Sequence, residues 1–361
     1  MRRRRNCVSV VLAGVALLTS ICSAQISPIN PPSGWKVPNG AGACTAGKSC
    51  AELVPTMMQS ALGASPLEEN LRYLTTLRGR VTSSSKEERA AAWAVEAFRR
   101  AGVDEVHTER FMIPNGGSTG HAEAKAMAGP VESENVVAEI RGREEPDKFV
   151  VLGARLDDSS DAALMIDAAR VVHTSGSVPR RSIRFVLFSG KKQGRPGSWA
   201  YVRAHHDELD RTSVAILFER GIGSVSGYSL GGRRDALAPV REALVPLAPL
   251  GVKKFTLDAR IDADRLDFVL EGILTVEPNQ EPTREATNRH QAGKAELPML
   301  KRQAGIAAIT AYALADTSEP IGRRQSRAEI DQLLKDTGLS GPMKSEGLWP
   351  AWESGERGRK R

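Results

Sequence analysis

Residues 183–194 read Ile-Arg-Phe-Val-Leu-Phe-Ser-Gly-Lys-Lys-Gln-Gly, and residues 197–201 continue as Gly-Ser-Trp-Ala-Tyr. The first six residues are rich in branched and aromatic side chains, which is typical of a strand buried in a sheet. The glycines that follow indicate a tight turn, and residues 199–207 then have a helical pattern. This segment therefore predicts a strand, a turn and a helix in succession.

The same alternation of strand and helix extends in both directions along the chain. Ser85 and Glu88 form a capping-box pattern that opens a predicted helix, and Gly102 marks its end. The other predicted strands are 135–140, 149–154, 214–218 and 273–276, and the other predicted helices are 162–173, 235–247, 299–314 and 327–335. Such alternation predicts an α/β fold with helices on both faces of a central sheet.

Residues 183–201 resemble the strand and turn of the di-zinc aminopeptidase and glutamate carboxypeptidase family, in which Ser-Gly-Glu-Glu-x-Gly is followed by Gly-Ser. The chain is similar to the family, in the same order, at 135–140, 150–154, 262–268, 278–280 and 311–316. It most resembles the carboxypeptidase-Q-like branch, although residues 114–134 are too few to hold that branch's accessory domain. The resemblance implies the zinc-exopeptidase fold, a phosphorylase/hydrolase-like architecture with a mixed β-sheet.

The resemblance also implies which residues stand where the family binds two zinc ions. Such enzymes need imidazoles and carboxylates on the metals and a glutamate base beside the metal-bound water. Here Arg155 stands at the first histidine position, Lys191 at the general-base position and Lys192 at a ligand-glutamate position. Arg265 stands where the family has the histidine of an Asp-His pair. A guanidinium is always protonated and cannot bind zinc.

Fewer ligand-like residues remain at the other positions. Asp157 and Asp161 belong to a shortened loop, and Asp161 is the only candidate for the bridging aspartate. Glu219 aligns with a further site aspartate, and His290 keeps a ligand-like identity. Asp161, Glu219 and His290 are therefore the residual metal candidates, although a lone histidine in a loop is also explained by ordinary hydrogen bonding. We expect no bound zinc and no other cofactor.

Two interpretations apply to the cations at these positions, which are Arg155, Lys191, Lys192 and Arg265. They compensate the acids Asp157, Asp158, Asp161 and Glu219, which once faced metal ions, or they line a pocket for a carboxylate or phosphate. Compensation is favoured because unpaired buried charge is costly. The neighbouring pair His205-His206 is interpreted as two surface histidines beside Asp207.

The N-terminal residues predict export. Arg2 to Arg5 precede a short apolar run and a small-residue cleavage site, so residues 1–24 are predicted to be a signal peptide; a lipoprotein signal centred on Cys22 is the alternative. Residues 25–70 are interpreted as a leader or linker and 71–320 as the α/β domain. Residues 321–361 are interpreted as a C-terminal helix followed by a tail that is mobile from Gly341, apart from Trp349 and Trp352. Cys44 and Cys50 are predicted to form a disulfide in an oxidising compartment, the alternative being two free thiols.

Charge gives little indication of a partner. The chain has 50 basic and 43 acidic residues, and removing the four signal arginines leaves 46 against 43. Such a balance predicts neither nucleic acid nor an anionic membrane as a partner, and no later segment is apolar enough to span a bilayer.

The leading hypothesis is an exported, periplasmic or extracellular, pseudo-peptidase with a binding or vestigial role. The alternatives are an active zinc exopeptidase with a rearranged metal site, and a binder of peptides or small anions.

Overall fold

The computed structural model describes residues 50–77, 84–103, 105–113, 131–190, 196–219, 223–261, 264–281 and 292–360. In chain order the helices and strands within these ranges are α1 (Cys50–Leu62), α2 (Leu67–Leu77), α3 (Ser84–Arg100), β1 (Glu105–Ile113), β2 (Val131–Ile140), β3 (Glu145–Arg155), α4 (Ser159–Thr174), β4 (Arg181–Phe188), α5 (Pro196–Ala204), β5 (Thr212–Phe218), β6 (Ser224–Ser229), α6 (Leu237–Ala243), β7 (Lys254–Thr256), α7 (Arg265–Leu270), β8 (Thr275–Glu281), α8 (Ala292–Ala315), α9 (Arg327–Asp336), α10 (Ser340–Ser345) and α11 (Trp349–Ser354). None of these helices is long and apolar enough to cross a bilayer.

The eight strands form a mixed sheet in the order β1-β2-β4-β3-β5-β8-β6-β7. The central strands β4, β3, β5 and β8 are parallel, β2 pairs antiparallel with β1 and β4, and β6 pairs antiparallel with β8. Every residue of β4 and β5 is buried. Continuous burial of this kind requires a layer of structure on each face of the sheet.

Helices cover both faces, as the sequence predicted. Alternate side chains of β3, such as Leu152 and Ala154, join a large core that includes residues of α1, α3, α4 and α8. The intervening Val151 faces a smaller core on the opposite side, built with Tyr201 of α5 and Phe268 of α7. The period-two alternation of strand side chains thus divides the apolar residues between two helical layers.

The segment preceding the predicted domain contains two helices that the sequence analysis missed. Residues 50–70 fall within the range interpreted as leader or linker, yet they form α1 and the start of α2. Leu53, Met57 and Ala61 recur at helical spacing on the buried face of α1, which packs on α8, while α2 packs on α4. The prediction of a linker is therefore wrong for these residues, because burial against the domain, and not local composition, stabilises the helices.

The C-terminal segment is also ordered beyond the predicted helix at 327–335. That helix is confirmed as α9, with a capping box between Ser326 and Glu329. The tail was expected to be mobile from Gly341 apart from Trp349 and Trp352, but it forms two short helices, α10 and α11. Trp352 of α11 is fully buried, and the guanidinium of Arg327 lies 3.8 Å from the centre of its ring. The tail is therefore fastened to the domain through a separate small core that α7, α9, α10 and α11 share.

Candidate functional site

Three parallel strands bring the predicted site positions to one edge of the sheet. Arg155 is the last residue of β3 and pairs with Phe188, the last residue of β4. Ala154 pairs with Phe218 at the end of β5, so Glu219 leaves the sheet beside Arg155. This is the carboxyl edge, where open α/β sheets gather their ligand-binding groups.

Some predicted site residues lie outside the described residues. They are Lys191, Lys192 and His290, together with Cys44 of the predicted disulfide and the whole of the predicted signal peptide. The expected ion pairs of Lys191 and Lys192 with neighbouring acids consequently remain predictions. The other predicted site positions, Arg155, Asp157, Asp161, Glu219 and Arg265, lie within the described ranges.

Arg155 lies against the two aspartates that follow it. Its Nε is 3.7 Å from Asp157 Oδ1, and one terminal nitrogen is 3.7 Å from Asp158 Oδ2, both within ion-pair range. The Arg155 side chain is only 13% exposed. This is the arrangement that the compensation interpretation predicts, and it differs from a cationic pocket, in which Arg155 would face a cleft without protein carboxylates.

The residual bridging candidate sits in the first turn of a helix. Asp158 caps α4 by accepting hydrogen bonds from the backbone amides of Ser160 and Asp161. Asp161 is itself buried. The short loop between β3 and α4 therefore serves as a helix cap, an arrangement that stabilises α4 at its positive end.

Both carboxylate oxygens of Glu219 contact the same backbone group. Both of its carboxylate oxygens accept from the amide nitrogen of Asp264, at 3.1 and 3.0 Å. Burial raises the pKa of Glu219 well above its usual range, and the negative charge of Asp264 adds to that rise. The Asp264 amide and Arg155 oppose the rise without cancelling it. The Glu219 carboxyl therefore keeps its proton to a higher pH than an exposed glutamate does.

A chain of buried polar groups extends from this point to the C terminus. Ser198 Oγ lies 3.0 Å from Asp264 Oδ1 and 2.7 Å from Asp267 Oδ2. Asp267 in turn accepts two hydrogen bonds from Arg357, at 2.6 and 3.0 Å. Arg357 comes from the segment that was expected to be mobile. Its role was missed because nothing in the local sequence indicates a partner 90 residues away.

Arg265 pairs with an acid other than the ones that the sequence analysis proposed. It is the first residue of α7, it is almost fully buried, and it forms an ion pair with Glu277 of β8. Its Nε also donates to the carbonyl of Arg260 at 2.9 Å. Glu277 was not among the acids Asp157, Asp158, Asp161 and Glu219 that the compensation interpretation named, and it is reached because α7 packs on β8.

The side chains of His205 and His206 have different partners, as expected of adjacent residues, but only His206 lies at the surface. His206 is 44% exposed, with Nδ1 3.6 Å from Glu271. The His205 side chain is only 16% exposed and forms ion pairs with Glu109 and Glu208. Its interpretation as a surface histidine is wrong because the helical turn that separates the two rings points His205 toward β1.

Metal-ligating side chains do not cluster within the part of the chain that the structure describes. No group of three or more His, Cys, Asp or Glu side chains within the described ranges is close enough to share a metal ion. Two of the positions that the family resemblance assigns to histidines hold guanidinium groups, each already beside a carboxylate. Neutral imidazole or carboxylate donors are what zinc requires.

Part of the chain is similar in sequence to known peptidases. Residues 135–292 match the model of Peptidase family M28. Carboxypeptidase Q of Rattus norvegicus is 26% identical over 206 residues, which cover 53% of this chain and 43% of the rat protein. The chain thus matches less than half the length of that relative.

Two solved structures share the fold. The Peptidase M28 precursor of Shewanella amazonensis superposes with a TM-score of 0.65 at 16% identity, covering 76% of this chain and 98% of that one. A zinc aminopeptidase from Bacillus subtilis superposes with a TM-score of 0.51 at 15% identity, covering 70% and 95%. These likenesses confirm the mixed sheet with flanking helices that the sequence predicted.

Proposed function

This chain is related to Peptidase family M28 through residues 135–292, and on that premise we propose that it is an exported pseudo-peptidase. The observation that carries the proposal is the position of Arg155. At the edge of the sheet where the family resemblance calls for a metal-binding imidazole, the chain has a guanidinium 3.7 Å from both Asp157 and Asp158. The protein keeps the scaffold of an exopeptidase and lacks its hydrolytic chemistry.

Electrostatics supports this proposal. A zinc ion held near Asp157 would lie next to the permanent positive charge of Arg155. Two like unit charges about 4 Å apart repel by about 4 kcal/mol at an effective dielectric constant near 20. Lys191 and Lys192 add two more cations at positions where the family resemblance assigns the base and a ligand. Each substitution removes a donor and adds a charge that disfavours the metal.

The remaining acids are engaged with the protein itself. Asp158 caps a helix, and Glu219 is fastened to the Asp264 amide. Asp264 is linked through Ser198 to Asp267, which accepts two hydrogen bonds from Arg357. The acids at this edge of the sheet and next to it are thus engaged by backbone amides and guanidinium groups of the protein itself. This pattern favours a retained fold over a rearranged catalytic centre.

Hydrolysis assays test the proposal. Purified protein is incubated with aminopeptidase and carboxypeptidase substrates, with and without added zinc, beside an active zinc aminopeptidase of the same fold. We expect no turnover above the level of a sample treated with a chelator. Zinc-dependent hydrolysis that a chelator abolishes would contradict the proposal and would favour the alternative of a rearranged metal site.

A further inference from the structure

His205 lies in a cluster of charged side chains on the side of the sheet opposite the large core. It follows α5 directly, and its ring packs on Tyr201 with 4.4 Å between ring centres. Its Nε2 is 2.8 Å from Glu109 Oε1 on β1, and its Nδ1 is 3.0 Å from Glu208 Oε2 in the following 3₁₀ turn. Both nitrogens of one imidazole therefore face carboxylate oxygens.

A neutral imidazole cannot donate to both. It carries one N–H and one acceptor nitrogen, whereas the protonated ring carries two N–H groups. With both carboxylates ionised, the two contacts are simultaneously favourable only for the imidazolium. We propose that His205 is a proton-operated latch. When the ring is protonated, it donates hydrogen bonds to Glu109 and Glu208 and holds the end of α5 to both. When the ring loses its proton, its hydrogen bond to Glu208 is lost and Glu208 keeps the hydrogen bond from Arg184.

The second state already has its donor in place. One terminal nitrogen of Arg184 lies 3.4 Å from His205 Nδ1 and 2.7 Å from Glu208 Oε2. A neutral ring with its proton on Nε2 accepts from Arg184 at Nδ1 and still donates to Glu109. Glu208 then relies on Arg184 alone. The cluster thus has two hydrogen-bonding patterns that differ by one proton and need no movement of the backbone.

The surrounding charges determine the direction of the titration. The groups that face the cluster are Glu109 and His107 of β1, Glu139 of β2, Arg184 of β4, Tyr201 of α5, and Glu208. Burial acts to raise the pKa of Glu109, but hydrogen bonds from His107 and His205 outweigh it and lower that pKa to about 2. Glu109 therefore remains ionised at every pH where His205 titrates.

The same charges favour the imidazolium. Burial acts to lower the pKa of His205, and the hydrogen bond and charge of Glu109 outweigh it, so that this pKa lies above its usual value. A histidine whose pKa is raised by folding contributes stability that is full below the unfolded pKa and is lost as the pH rises through the folded pKa. The latch therefore holds in mildly acidic solution and loosens as the solution becomes basic. It is independent of the proposed function.

Nuclear magnetic resonance of the wild-type protein tests the two states directly. Imidazole ¹⁵N shifts report both the titration and the neutral tautomer. We expect His205 to titrate above about 6.5, the usual histidine value, and to end as the Nε2–H tautomer. Titration at or below that value, or a neutral Nδ1–H tautomer, would overturn the proposal. This measurement needs no variant and is unaffected by one that fails to fold.

A pair of adjacent variants supplies a second test. His205→Gln keeps a hydrogen-bonding side chain without the charge, and His206→Gln is the matched control on the exposed neighbour. Urea unfolding is measured at about pH 5.5 and about pH 8.5, on either side of the usual histidine pKa. We expect His205→Gln to raise the unfolding constant more at the lower pH, by about tenfold for each whole pKa unit that folding adds to His205. Equal effects at both pH values, or a pH dependence confined to His206→Gln, would overturn the latch.

Discussion

Glu219 and Asp264 are joined by a bifurcated hydrogen bond, in which one backbone amide donates to both oxygens of one carboxyl group at 3.1 and 3.0 Å. The side chain of Asp264 lies close enough to add its own charge to the burial that raises the pKa of Glu219. In a metal enzyme, a cation would offset such a pair of acids. Here the Asp264 amide and Arg155 partly offset the charge of these acids, and the pKa of Glu219 remains raised.

Replacing Glu219 by glutamine should therefore weaken the pH dependence of stability. Because folding raises the pKa of Glu219, the folded state holds a proton that the unfolded state has released, and stability falls as the pH rises above the unfolded value. Each pKa unit corresponds to about 1.4 kcal/mol. Urea unfolding at about pH 5 and about pH 8 should show a smaller difference for Glu219→Gln than for wild type.

Glu346→Gln is a suitable control, because Glu346 is exposed and far along the chain from the site. It should leave the pH dependence unchanged. A Glu219→Gln protein that keeps the full wild-type pH dependence would show that this carboxyl is ionised in the folded state.

Removing Arg357 should destabilise the protein strongly. The Asp267 carboxylate is 1% exposed and depends on two hydrogen bonds from Arg357, whose own side chain is 12% exposed. Breaking a buried ion pair by removing one partner costs about 3–5 kcal/mol, because the other charge remains buried. Arg357→Ala should lower the free energy of unfolding by that order, measured by denaturant titration.

The ion pair of Arg323 with Glu329 provides the comparison. It also involves a guanidinium and a carboxylate, but the Arg323 side chain is 66% exposed. Exposed pairs contribute about 0–1 kcal/mol, so Arg323→Ala should change stability little. Similar losses for Arg357→Ala and Arg323→Ala would mean that the C-terminal segment does not pack as described.

Restoring the two glutamates of the family motif should not restore activity. The variant Lys191→Glu with Lys192→Glu returns the base and one ligand that the resemblance implies. Arg155 would remain beside Asp157 and Asp158, and Arg265 would remain beside Glu277. Hydrolysis of exopeptidase substrates with added zinc should stay at the level of the metal-free control. Robust turnover would show that Arg155 does not block the metal.

The sequence predicted the central strands of the sheet because they are apolar runs. Residues 183–188 and 214–218 lie within β4 and β5, where every side chain is buried. The strands toward the edges were harder to predict, because β1 mixes charged and apolar residues and β6 is rich in serine and glycine. Pairing with a neighbouring strand stabilises both, and local composition does not report it.

The site was predictable in position but not in its pairings. The family resemblance assigned Arg155 and Glu219 to the same site, and β3 and β5 bring the two residues to one edge of the sheet. The partners of Arg265 and Asp267 depend on how α7 and the C-terminal segment pack, and Glu277 and Arg357 carry no motif. Long-range ion pairs of this kind follow from tertiary structure, so the sequence alone favoured nearby acids instead.

The zinc content of the purified protein tests the central claim most directly. The protein is expressed with its native N terminus, purified in zinc-containing buffer, freed of loosely bound ions by gel filtration, and analysed for metal by mass spectrometry against a zinc aminopeptidase of the same fold. Because the described ranges contain no cluster of metal-binding side chains and Arg155 stands beside Asp157 and Asp158, we expect far less than one zinc ion per chain. Two tightly bound zinc ions per chain would contradict the account.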